Sequence, residues 1–215
     1  MKLTESLKRS LRSGGHGVHS PFAYKLITDV IREKYVYYAY EDVERALIDK
    51  QLSPSLITED DRLAFRLTYF FKSDQVLLFN PENNIQTLFV LKANPSAKIT
   101  SLVKEEAFDD IAWTLLQNIE KDRIKSIRVT DLIDKRFDAI FLDINQINDA
   151  DLSLDKLIGM SNPECFWYLR GIFNNKSEEI WRQIADDQRL NVTFDLKKSG
   201  IAIINSQYNK INYLL

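Results

Sequence analysis

Gln75-Val-Leu-Leu-Phe79, running on as Asn80-Pro-Glu-Asn-Asn84, is the stretch on which the fold turns. Five residues of mostly apolar character, ended by turn formers, read as a short strand buried on both faces, the kind found in parallel sheets covered by helices. Residues 84–91 follow with Ile85, Leu88 and Phe89 at helical spacing. A buried strand passing through a short turn into a helix begins a βαβ unit, and that turn lies where open α/β sheets hold ligands. The turn contains no glycine. The chain has 6 glycines, and none lies between Val18 and Ile158.

Downstream the same alternation continues. Residues 98–103 read as a second strand and 108–119 as an amphipathic helix. Residues 126–130 form a third strand and 137–143, Phe-Asp-Ala-Ile-Phe-Leu-Asp, a fourth. A short helix is predicted over 154–160 after Ser153, and a fifth strand over 164–170. Ser177 is expected to cap a helix running to about residue 188, with Ile180, Trp181 and Ile184 inward. Strands alternating with helices give a mostly parallel α/β sheet. The tail breaks the pattern: residues 190–196 and 200–205 read as strands joined by Lys197-Lys198-Ser199, a link that permits only an antiparallel hairpin. Residues 210–215 add a last short strand or a docked tail.

Upstream, the first third is helical. Ser20-Pro21 supplies an N-cap and a first-turn proline for a helix over 20–32. Residues 41–50 form a second helix, and Thr58 caps a third over 59–72. Residues 1–17 are basic and read either as a short helix or as a flexible arm. We therefore expect an N-terminal helical segment over 1–72 and a sheet domain over 73–215, together one compact unit.

The bulk properties narrow the function classes. A chain of 215 residues with 45% apolar and 28% charged side chains is ordinary for one globular domain. A net charge of −2 and a pI near 5.8 argue against a general nucleic-acid binder. One cysteine, Cys165, excludes an internal disulfide and suits a reducing compartment; its expected place is in a buried strand. The N-terminus lacks the apolar core of a signal peptide, and no apolar run approaches the roughly 20 residues that cross a bilayer. A soluble, cytoplasmic protein without membrane association is expected.

Leading helices, five βα units and a closing hairpin resemble a class I S-adenosylmethionine-dependent methyltransferase. Two motifs sharpen the likeness: Gly15-His-Gly-Val-His-Ser-Pro-Phe22, and Val192-Thr-Phe-Asp-Leu196 with Gly200-Ile-Ala-Ile-Ile204. Both are similar to a group of O-methyltransferase-like proteins common in Bacteroidetes, in which a "GVHSPF" segment opens the chain and a "TxDLxxxGI" hairpin closes it. The resemblance implies a Rossmann-like methyltransferase sheet and S-adenosylmethionine as the cofactor.

The resemblance also implies where the cofactor would lie. The family's first strand ends in a glycine-rich turn, because backbone must approach the cofactor closely and adopt φ > 0. Here Asn80, Glu82 and Asn83 occupy that turn; asparagine tolerates left-handed backbone but carries a Cβ. The acid that would bind ribose after strand two falls near Glu105, for which a place in the first turn of a helix is the plainer account. The acid ending strand four is Asp143, which either faces the crevice or caps the next turn. After strand five the group carries two acids; here the stretch is Arg170-Gly-Ile-Phe-Asn-Asn-Lys176, with neither.

Two features lie outside that scheme. His16 and His19 form an H-x-x-H pair without an obvious third ligand, so a shaped loop whose histidines hydrogen-bond the domain body is preferred to a metal site, and no metal is expected; the resemblance also allows this loop to lie over the mouth of the cofactor crevice, as a candidate pocket segment. Tyr35, Tyr37, Tyr38 and Tyr40 read as helix packing or a partner surface. Three functions remain open: a non-catalytic binding or regulatory protein on an eroded methyltransferase scaffold, an active O-methyltransferase with a divergent site, and an interaction module that dimerises through its early helices. The catalytic residues and the partner stay unassigned.

Overall fold

The computed structural model describes residues 20–79, 85–102, 122–127, 131–132, 135–147 and 152–215. The chain divides into two compact units, one of residues Asp29–Ile133 and one of Met1–Thr28 with Asp134–Leu215. The fold is mixed α/β, with a mostly parallel sheet, flanking helices and a closing antiparallel hairpin.

In the Asp29–Ile133 unit, helices α2 (Tyr38–Asp49) and α3 (Glu59–Phe71) precede β1 (Gln75–Phe79), α4 (Ile85–Ala93), β2 (Lys98–Leu102) and β3 (Ile124–Ile127). Strand β2 pairs in parallel with both β1 and β3, in register Leu77↔Thr100 and Thr100↔Lys125. Strand β1 is buried from Val76 to Phe79, as its apolar run predicts. Strand β3 begins two residues before the expected 126–130. The expected helix over 108–119 lies outside the described residues. Helix α3 starts at the predicted cap: Asp61 donates its backbone N–H to Thr58 Oγ1 at 3.2 Å, and Thr58 returns its own to Asp61 Oδ2 at 2.8 Å. Tyr40 of α2 packs between Phe65 of α3 and Phe89 of α4, with ring centroids 5.3 and 5.5 Å away. Helix α4 is buried on nearly every side, and its apolar residues accordingly run around the whole helix.

The other unit opens with α1 (Pro21–Leu26), capped by Ser20. The helix expected over 20–32 continues from α1 as a π-turn, Ile27–Ile31. Later in the chain come β4 (Phe137–Asp143), α5 (Leu154–Gly159), β5 (Ser161–Arg170), α6 (Asn175–Asp186), β6 (Val192–Asp195), β7 (Ser199–Ile203) and β8 (Ile211–Leu214). Strands β4 and β5 are parallel, β7 runs antiparallel between β5 and β6, and β8 closes the edge parallel to β6. Strand β5 starts three residues earlier than expected because the register jumps between Phe137↔Ser161 and Ala139↔Phe166, an irregularity that accommodates Pro163.

Trp181 of α6 packs against the turn end of the hairpin. A Cβ built on Gly200 would come within 2.5 Å of two indole carbons, so glycine is what lets α6 approach β7. Gly200→Val is expected to cost about 1–3 kcal/mol through overpacking, read as a lowered urea midpoint with an unchanged slope. Full tolerance of valine would mean that α6 does not hold this distance.

Candidate functional site

Asp143 is the one family-implied cofactor residue within the described chain. It ends β4, half-buried, and its carboxylate is already engaged. Oδ1 accepts the backbone N–H of Asn145 at 2.9 Å and the side-chain amide of Asn145 at 2.8 Å. Gln146 completes the arrangement by accepting the Asp143 backbone N–H at 3.2 Å. This reciprocal box starts the short 3₁₀ turn Ile144–Gln146. Asp143 thus fills the capping role through Oδ1.

The neighbouring strand end confines the same carboxylate. Arg170 sits beside Asp143 in parallel register, and Gly171 follows with φ +85°. A Cβ on Gly171 would stand 2.6 and 2.9 Å from the Asp143 carboxylate oxygens, so the backbone passes this acid at a distance only glycine permits. Ile172 then donates its N–H to the Lys198 carbonyl in the hairpin turn at 3.0 Å. Asn174 caps α6, accepting the Ser177 N–H at 2.9 Å, while Ser177 Oγ accepts the N–H of Asn174 at 3.1 Å. The expected cap at Ser177 is thereby corrected: Ser177 is the third helical residue, and the cap lies three residues earlier. In the segment after β5, Asn174 and Ser177 turn the chain into a helix.

Asn80, Glu82, Asn83, Glu105, His16 and His19 lie outside the described residues. What the structure does show is the helix that follows the glycine-free turn. The first turn of α4 carries Gln86 and Thr87, both buried, and Gln86 Nε2 and Thr87 Oγ1 have no hydrogen-bond partner among the described residues. A buried polar group left unsatisfied costs about 1–3 kcal/mol, so this turn would gain from an outside polar group. The sequence carries a signal for these two residues: apart from Lys92 in the last turn, they are the only polar residues of the helix.

Other chemistry is sparse. Cys165 is fully buried in β5, and burial pushes its thiol up to about 12, far from the thiolate a nucleophile needs. Trp181 is a core residue, 5% exposed. Among the described residues, no group of three metal-ligating side chains converges, and no helix is long and apolar enough to cross a membrane.

Solved structures share this fold. A methyltransferase from Geobacter sulfurreducens superposes with a TM-score of 0.59 at 12% identity, covering 80% of this chain and 91% of its own. An O-methyltransferase from Bacillus cereus, in complex with SAH, gives 0.57 at 16% identity, covering 84% and 96%. The O-methyltransferase TomG from Streptomyces achromogenes, involved in tomaymycin synthesis and in complex with SAM, gives 0.56 at 12% identity, covering 80% and 92%. At these identities the likeness establishes the fold. No protein-family model matches the sequence, and no curated protein matches it.

Proposed function

We propose that this chain is a non-catalytic binding or regulatory protein on a methyltransferase-like scaffold. The observation that carries the reading is the engagement of Asp143. Its Oδ1 accepts both hydrogen bonds of Asn145, and the Gly171 backbone passes close beside the carboxylate, so the acid has a part in the fold. Supporting it, the stretch after β5 presents Arg170 and a helix cap where the resembling group has acids that could serve as a general base or hold a metal. The turn at residues 80–84 lacks the glycines that would admit a cofactor's close approach.

Titration calorimetry of the full chain with S-adenosylmethionine and S-adenosylhomocysteine tests this. The expected result is no heat and no thermal shift at millimolar nucleoside. Micromolar binding of either overturns the reading and favours a second one, an O-methyltransferase with a divergent cofactor site. The specific observation behind that second reading is the unsatisfied pair Gln86 and Thr87 at the start of α4. Under it, Gln86→Leu would weaken nucleoside binding by about 1–3 kcal/mol through loss of a hydrogen bond.

A further inference from the structure

Strand β8 (Ile211–Leu214) is the outer strand beside β6, and among the described residues no further strand pairs with it. Its ladder to β6 fixes which backbone groups are left over. Ile211 donates its N–H to the Asn191 carbonyl at 2.8 Å, and Leu215 donates its own to the Asp195 carbonyl at 2.8 Å. Successive residues of a strand turn their backbone groups to opposite sides. Residues 211, 213 and 215 therefore turn towards β6, while Asn212 and Leu214 turn their N–H and C=O groups outward. The Thr193 hydroxyl donates to Asn212 Oδ1 at 2.8 Å, which ties that side chain to β6 and keeps it off its own outward backbone.

A sheet edge is normally guarded by a charge, a proline or a bulge. Ile211-Asn-Tyr-Leu-Leu215 contains no charged residue and no proline, and its register against β6 is unbroken. The nearest charge in sequence, Lys210, is occupied: its ammonium donates to the carbonyls of Asp187 and Leu190 at 2.7 and 2.6 Å. Ile211, 42% exposed, leaves apolar surface at the edge. A net charge of −2 over the whole chain opposes self-association little. The guard that remains is length, since β8 has 4 residues.

We propose that β8 pairs with β8 of a second copy of this chain, antiparallel about a two-fold axis at Tyr213. In that register Asn212 of one copy stands opposite Leu214 of the other, and each exchanges an N–H···O=C pair with its mate. Every outward group of the two residues is then used. On the face where Tyr213 stacks on Phe194, with ring centroids 5.0 Å apart, Ile211 of one copy meets Leu215 of the other, an apolar cross-strand pair. No like charges are opposed. This self-matching selects a second copy as the occupant, and a two-fold contact closes on itself instead of growing into a fibre. So short a strand makes a small interface, and the dimer is reversible and concentration-dependent. The pairing is independent of whether the chain binds a nucleoside cofactor.

Sedimentation velocity of the full chain from micromolar to millimolar protein is expected to show a monomer–dimer equilibrium. Amide exchange followed by NMR over the same range locates the contact. The Asn212 and Leu214 amides should slow as the dimer forms, while those of Ile211 and Tyr213, bonded to β6, are protected throughout. Leu214→Pro removes an outward donor that the β6 ladder does not use, a place where an edge strand accepts proline. It should weaken dimerisation about tenfold or more, through the loss of one hydrogen bond on each side of the axis. Leu214→Ala keeps the donor and should weaken it less. Where Leu214→Pro lowers the urea midpoint, Ile211→Lys replaces it as the test, supplying the missing edge charge. The proposal is overturned by a chain that stays monomeric at millimolar concentration, by a dimer whose Asn212 and Leu214 amides exchange as fast as in the monomer, or by affinity unchanged in the folded variant.

Discussion

Trp167→Ala is expected to remove about 3–5 kcal/mol of stability, the range for truncating a buried aromatic side chain. Trp167 is fully buried at the middle of β5, opposite Ile140 of β4 and Ala202 of β7, so neither strand can close over the void without losing register. Its indole N–H also donates to Ser161 Oγ at 2.8 Å, and Ser161 in turn donates to the Leu157 carbonyl at 2.8 Å. That chain ties the start of β5 to α5. Against a total stability of about 5–15 kcal/mol, such a loss is visible as a steep fall in the urea midpoint. Trp167→Phe separates the two contributions: it keeps most of the volume and loses the hydrogen bond, and should cost about 1–2 kcal/mol. Equal effects of Ala and Phe would place the energy in the hydrogen bond and refute the packing account.

The fold was legible where one physical constraint left one solution. Val76–Phe79 in β1 and Ala139–Leu142 in β4 are continuous apolar runs, and a strand buried on both faces has few other homes. The hairpin β6–β7 was forced by a link too short for a crossover. Errors arose where two local solutions compete. Asn174 and Ser177 are both good caps, and their reciprocal hydrogen bonds, not composition, decide that Asn174 is outside the helix. The end of β5 was legible but its start was not, since Pro163 reads as a breaker until the register irregularity absorbs it. The helix expected to residue 32 widens at Ile27–Ile31, where the Val30 carbonyl accepts from Arg66, 36 residues away. The tyrosines at 35–40 split in two: Tyr37 and Tyr40 pack inward on Phe65, while Tyr35 and Tyr38 stay exposed. The edge at β8 was not legible for the same reason, because residues 210–215 read equally as a strand or a docked tail until β6 pairs with them.

Gly171→Ala is expected to cost about 2–4 kcal/mol, combining strain from a positive φ of about 1–3 kcal/mol with loss of a helix-type cap worth about 1 kcal/mol. The two parts have different origins. At φ +85° any side chain is strained by its own backbone. Independently, the new methyl would arrive 2.6 Å from Asp143 Oδ2 and push the carboxylate off Asn145. A double-mutant cycle with Asp143→Ala separates them. Asp143→Ala alone should cost about 1 kcal/mol as a lost cap. If the carboxylate is held where it stands, the double variant is less destabilised than the sum of the singles, because the collision and the cap disappear together. Strict additivity would mean that the methyl leaves the Asp143 cap undisturbed, so that the strain at φ +85° carries the whole cost and the closeness of Gly171 does not confine this carboxylate.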